Sequence, residues 1–137
     1  MISHRKAREV ALQILFQRSF REMASVEELF NSFVDHFKIE QSTQEYAFFL
    51  TSSVIDHEEK INQKIQSLSD HWKLERMALI DRVLLQMAIF ELCLSQNTQT
   101  PPKLCVTDIL DLAKKYSSVD SKSFINGILD PILNQNG

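Results

Sequence analysis

His4, Arg5, Lys6 and Arg8 crowd into the stretch SHRKARE at the start of the chain. Cations at that density can neutralise successive phosphates, and arginine adds a planar fork that grips phosphate through two hydrogen bonds or stacks on a base. They sit where a helix should begin, beside the positive end of its dipole, so local stability does not account for them. The plain alternative is a charged helix end bathed in water, and composition alone does not separate the two. Near the other end, DSKSFINGILD holds a second candidate. Phe124, preceded by Lys122 and Ser123, either packs in a core with Ile128 or offers its ring to a base. Asp81, Arg82 and Glu91 interrupt an otherwise apolar run, as a narrow wet strip or as an acidic surface for a basic partner.

Nothing in the sequence points to bond-making chemistry. It has no glycine-rich phosphate loop, no His and carboxylate cluster at metal spacing and no recognisable nucleophile motif, so no enzyme, cofactor or metal is expected. His4, His36, His57 and His71 are scattered, and Cys93 and Cys105 lack CxxC spacing, reading as buried reduced thiols. The net charge of −3 argues against gripping nucleic acid by bulk electrostatics. Its distribution argues otherwise: Arg5, Lys6, Arg8, Arg18 and Arg21 face only Glu9 within residues 1–21, which leaves the rest of the chain acidic. The early charge and the interruption by Gln13 exclude a signal peptide, and the uncharged run VLLQMAIF falls short of the ~18 residues of a membrane span. A cytoplasmic protein without membrane contact is expected.

These groups need elements to position them. A chain of 137 residues, 44% hydrophobic, suffices for one core, and a single domain over residues 1–137 is expected. Two glycines and three prolines leave little material for hairpin turns, so the fold should be all-α. Ser3 can cap a first helix running to about Phe20, with Ala7, Ala11, Ile14 and Leu15 inward and Lys6, Glu9, Gln13 and Gln17 outward. Ser25 can cap a second, whose stripe is Leu29, Phe30, Phe33 and Phe37, and Thr43 a third. A thinly apolar fourth helix spans Ile61, Ile65 and Leu68. A fifth, around VLLQMAIFEL, should be buried on most sides. Proline at a first turn starts the sixth, and Asp120 can cap the seventh.

Gly127 falls inside that last helix, where it costs roughly 1 kcal/mol. The absence of a Cβ would let a neighbouring helix approach closely, and Pro131, whose ring presses on the carbonyl of Gly127, would bend the helix there.

Taken together, RKAREVALQILF, IDRVLLQMAIFEL and PPKLCVTDILDLAKKYSSVDSKSFINGILD resemble the NusB family of bacterial transcription antitermination factors, in order and over nearly the whole chain. The resemblance implies seven helices in two three-helix bundles meeting through the first helix. It implies binding of single-stranded boxA leader RNA jointly with NusE, a ribosomal protein, in a complex with RNA polymerase and NusA that supports transcription of ribosomal RNA operons. Carried over by position, Arg5, Lys6, Arg8 and Gln13 would contact RNA, as would Asp120, Lys122 and Phe124. Glu75 and Asp81 would face NusE. Gly127 would then help bring Phe124 and Lys122 beside Arg5 and Arg8. Thr107, Asp108, Gln86 and Pro131 depart from the family pattern. A homodimer that hides the basic surface stays open. So do two other readings: a helical protein-interaction module without RNA binding, and the NusB-like domain of an RNA cytosine methyltransferase, which would need a cofactor-binding region that this sequence lacks.

Overall fold

The computed structural model of the chain describes residues 3–20, 25–36, 38–95 and 100–136. Among them the regular structure is helical: α1 (His4–Arg18), α2 (Val26–His36), α3 (Gln41–Asp56), α4 (Glu58–Leu68), α5 (Leu79–Ile89), α6 (Pro102–Tyr116) and α7 (Val119–Asn136). A 3-10 turn at Leu74–Arg76 precedes α5, and a π-helical turn at Phe90–Leu94 follows it. Contacts group the helices into two units, residues 1–56 and 57–137.

In the first unit, α1 packs on α3 and α2. Ala7, Val10 and Ile14 of α1 join Leu29 and Phe30 of α2 and Ala47 of α3 in one core, flanked by Phe33, Val34, Ile39 and Tyr46. Small Ala7 and Ala47, both fully buried, are what let the helices come together there. Ser3 and Ser25 cap as expected: Lys6 N–H donates to Ser3 Oγ at 3.2 Å and Glu28 N–H to Ser25 Oγ at 3.1 Å. Thr43 does not cap. α3 begins at Gln41, and Thr43 is buried, its Oγ1 accepting from Ser3 N–H at 3.2 Å and so tying the entry of α1 to α3. Phe37 lies outside the described residues.

In the second unit, α5 is the central helix, packed against α4, α6 and α7. Val83, Leu84, Leu85, Met87, Ala88 and Ile89 are all buried, which is why its sequence shows almost no polar face. Ile61 and Ile65 of α4, Ile109 and Leu112 of α6, and Ile125 and Leu129 of α7 complete the core. Gln86, one of the departures from the family pattern, donates to Asn62 Oδ1 at 2.9 Å and so links α5 to α4.

Several expectations change on this scaffold. The cap of α7 is Ser118, whose Oγ accepts from Ser121 N–H at 3.0 Å; Asp120 lies in the first turn, exposed. Gly127 is exposed, its φ is not positive, and a Cβ built on it meets nothing within 4 Å, so no neighbouring helix needs the space. The close-packing account is thereby overturned. α7 continues through Pro131 to Asn136. Cys105 is buried but Cys93 is exposed; both are free thiols, and partial burial raises the Cys93 pKa against the pull of Lys64.

Candidate nucleic-acid interface

The basic start of α1 divides by its helical geometry. Arg5 and Lys6 are exposed and His4 is half-buried, its ring edge-to-face with Tyr46 at 4.7 Å. Lys6 Nζ lies 3.3 Å from Glu9 Oε1, an exposed pair worth about 0–1 kcal/mol that a phosphate can readily replace. Arg8, expected beside them, is fully buried, as are Ala7 and Ala11. Its guanidinium is closed off from any strand approaching from outside, so Arg8 leaves the set of candidate RNA contacts and joins the structural residues. Gln13 is half-buried on α1.

A cleft of about 380 Å³ opens in the second unit where the loop before α5 meets the start of α7. Trp72, Met77, Ala78 and Phe124 form its apolar walls; Arg76, Asp81, Asp120 and Ser121 supply its polar groups. Trp72 is 50% exposed and meets Phe124 edge-to-face, ring centroids 6.5 Å apart. The loop that carries Trp72 is held by Gln66 of α4. Gln66 Nε2 donates to the carbonyls of Ser69 and Trp72 at 3.2 and 3.1 Å, and its Oε1 accepts from Leu74 N–H at 3.0 Å. Ser69 Oγ adds a bond to the Trp72 carbonyl at 3.1 Å.

Asp81 corrects another expectation. It is only 6% exposed and does not lie on a wet strip. Its Oδ2 accepts from Ser121 Oγ at 3.1 Å, while Oδ1, shielded from water, has no hydrogen-bond partner. Burial raises the Asp81 pKa above the usual carboxylate value, and the Ser121 hydrogen bond opposes that shift. Ser121 is itself positioned by Ser117, the two hydroxyl oxygens lying 2.7 Å apart. Glu91 is buried as well, accepting from Cys105 Sγ at 3.5 Å, which removes the second member of the supposed strip. Glu75 remains exposed on the 3-10 turn, and Lys122 is half-buried on α7.

Trp72, Ser121 and Gln66 escaped the sequence reading. The one available signal was the chain's single tryptophan standing in the polar context SDHWK.

Among the described residues, no group of three His, Cys, Asp or Glu side chains could hold a metal ion, and no helix is long and apolar enough to cross a membrane. The described residues define an all-helical class of protein, with exposed cations on α1 and an aromatic-walled cleft in the second unit. Comparison with known proteins narrows the class. The NusB family profile matches residues 5–134. The transcription antitermination protein NusB of Bdellovibrio bacteriovorus is 37% identical over 132 residues, 96% of each chain. That of Methylacidiphilum infernorum is 32% identical over 137 residues, covering 100% of this chain and 94% of the other. NusB of T. maritima superposes with a TM-score of 0.87 at 26% identity, covering 98% of this chain and 94% of that one. A crystal structure of antitermination factors NusB and NusE in complex with dsRNA matches with a TM-score of 0.80 at 27% identity and 96% coverage of both chains. The chain belongs to the NusB family.

Proposed function

We propose that this protein is a transcription antitermination factor that binds boxA-like leader RNA together with NusE and promotes transcription of ribosomal RNA operons in the cytoplasm. The observation that carries the reading is the end-to-end match to proteins of that name, joined to the match with a NusB bound to NusE and dsRNA. Recognition, not catalysis, is the activity. Arg5 and Lys6 neutralise phosphates, with Gln13 a polar contact further along α1. Lys122 adds a cation at α7, where Asp120 accepts from RNA donors and Phe124 stacks on a base, a contact worth roughly 1–3 kcal/mol. Glu75 is the acidic contact for NusE. RNA polymerase and NusA join through the assembled complex.

So few cations make RNA binding by the lone protein weak, and a second protein that touches both RNA and this chain raises the affinity by linkage. A gel shift with a boxA leader oligonucleotide and a scrambled control, with and without NusE, tests this. The leader RNA should be preferred, and more tightly bound with NusE present. Equal affinity for leader and scrambled RNA rejects the function, and equal affinity with and without NusE rejects the coupling.

A further inference from the structure

The first unit has a recess of its own, a groove of about 410 Å³ lined by residues of α2 and α3. Phe30 and Phe48 give it an aromatic floor, their rings edge-to-face with centroids 5.2 Å apart. Phe30 is buried, but Phe48 keeps 36% of its surface exposed. Glu27 of α2 and Glu45 of α3 supply a carboxylate from each helix, and no cation among the described residues lines the groove. The helix dipole favours Glu27, in the first turn of α2, but not Glu45, which lies past the first turn of α3. Two amides at the rim face the same way. Gln41 Nε2 donates to Glu45 Oε1 at 3.3 Å and Gln44 Nε2 donates to the Ile39 carbonyl, which leaves the amide oxygens to accept. Residues 25–56 as a whole hold six carboxylates against Lys38 as the only Lys or Arg.

We propose that this groove receives an arginine side chain from a basic segment of a partner protein, its guanidinium lying on the Phe48 ring between the Glu27 and Glu45 carboxylates. Charge complementarity chooses that occupant. An aromatic face attracts a cation, and flanking carboxylates and amide oxygens take up donors. The guanidinium answers both demands at once, because it is flat and weakly hydrated and spreads five N–H donors in the plane of the group. A lysine ammonium is a compact, strongly hydrated charge and gains less from the ring. Nucleic acid is the wrong sign for so acidic a pair of helices, in contrast to the cationic start of α1. A metal ion lacks ligands, since no third His, Cys, Asp or Glu gathers with the two glutamates. The groove shares no residue with the RNA contacts proposed above, so the inference stands apart from that reading.

The test titrates the full chain, labelled with nitrogen-15, with a capped Gly-Gly-Arg-Gly-Gly peptide and with versions carrying lysine or citrulline in place of arginine. Citrulline keeps the shape of the side chain and removes its charge. Amide shifts that saturate at millimolar arginine peptide should centre on Glu27, Asn31, Gln44 and Glu45. The lysine peptide should bind about threefold more weakly, and the citrulline peptide should produce no saturable shift. Phe48→Leu should weaken the arginine peptide by about threefold, and Glu27→Gln combined with Glu45→Gln should abolish its binding. Both changes fall on exposed side chains, and the spectrum of each variant shows directly whether it is folded. Citrulline peptide that binds as well as arginine peptide overturns the proposal, as does a folded double variant that keeps the parent's affinity. So does the absence of saturable shifts in these helices. Leader RNA that moves the same amides while the arginine peptide does not would make the groove a nucleic-acid surface and reject the protein partner. Loss of leader-RNA binding elsewhere on the chain would reject the proposed function and leave the arginine groove standing.

Discussion

Arg5 and Arg8 lie three positions apart on α1, yet one side chain is exposed and the other has no accessible surface. Substituting each should therefore have opposite signatures. Arg8→Ala leaves the partners of a buried guanidinium unsatisfied and empties the space its stem filled, a loss of about 2–4 kcal/mol that a melting curve will show. Arg5→Glu, at an exposed position, should move the melting temperature far less than Arg8→Ala and, on the proposed function, weaken leader-RNA binding by about tenfold by setting a repulsion where a phosphate is held. Asp81 yields a pH prediction. Its pKa is raised in the fold, chiefly by burial, above the unfolded value of roughly 4. The native state thus holds that proton more tightly, and Asp81's contribution to stability is fully present below the unfolded value and lost as pH rises through the native one. Arg76 and Asp120 are the other charged groups lining the cleft. Asp81→Asn should accordingly melt no lower than the parent at neutral pH, with any advantage shrinking as the pH is brought down to about 4, as scanning calorimetry across that range will reveal.

At the scale of helices, α7 holds two residues that weaken it, Gly127 and Pro131. Gly127 is exposed with open space at its missing Cβ, so Gly127→Ala should raise stability by about 0.5–1 kcal/mol in chemical denaturation, by restricting the unfolded chain and improving helix propensity. No structural reason for that glycine is visible. The elements were legible in the sequence because their apolar periods are strong: the stripes of α1 and α5, and Leu29 and Phe30 of α2, match buried residues, and Ser3 and Ser25 cap where expected. Starts that depend on a choice among neighbouring oxygens were not. Thr43 and Asp120 carry capping groups as good as those used, but α3 starts at Gln41 and Ser118 reaches the free N–H of Ser121 first. The candidate cleft was less legible still. Asp81 read as solvated because its hydroxyl partner, Ser121, lies 40 residues away, beyond any local pattern. The break before α5 depends on Gln66, whose amide satisfies the loop from another helix.

For the molecule as a whole, net charge and charge placement pull apart. A protein of net charge −3 gains nothing from long-range attraction to RNA, so binding rests on the few cations that can touch phosphate. On the proposed function, with Arg5, Lys6 and Lys122 as the phosphate contacts, the slope of log affinity against log salt should be about −2, following roughly −0.7 per phosphate on a single strand. A much steeper dependence, measured by filter binding between low and physiological salt, would mean that other cations take part. The cleft offers one practical opening. Trp72 is the chain's sole indole, half-exposed and fastened by Gln66 and Ser69 at the mouth of that cleft. Its intrinsic fluorescence comes from one known place, so quenching or a spectral shift would report occupancy of the cleft directly, without a dye and on the millisecond timescale of stopped flow.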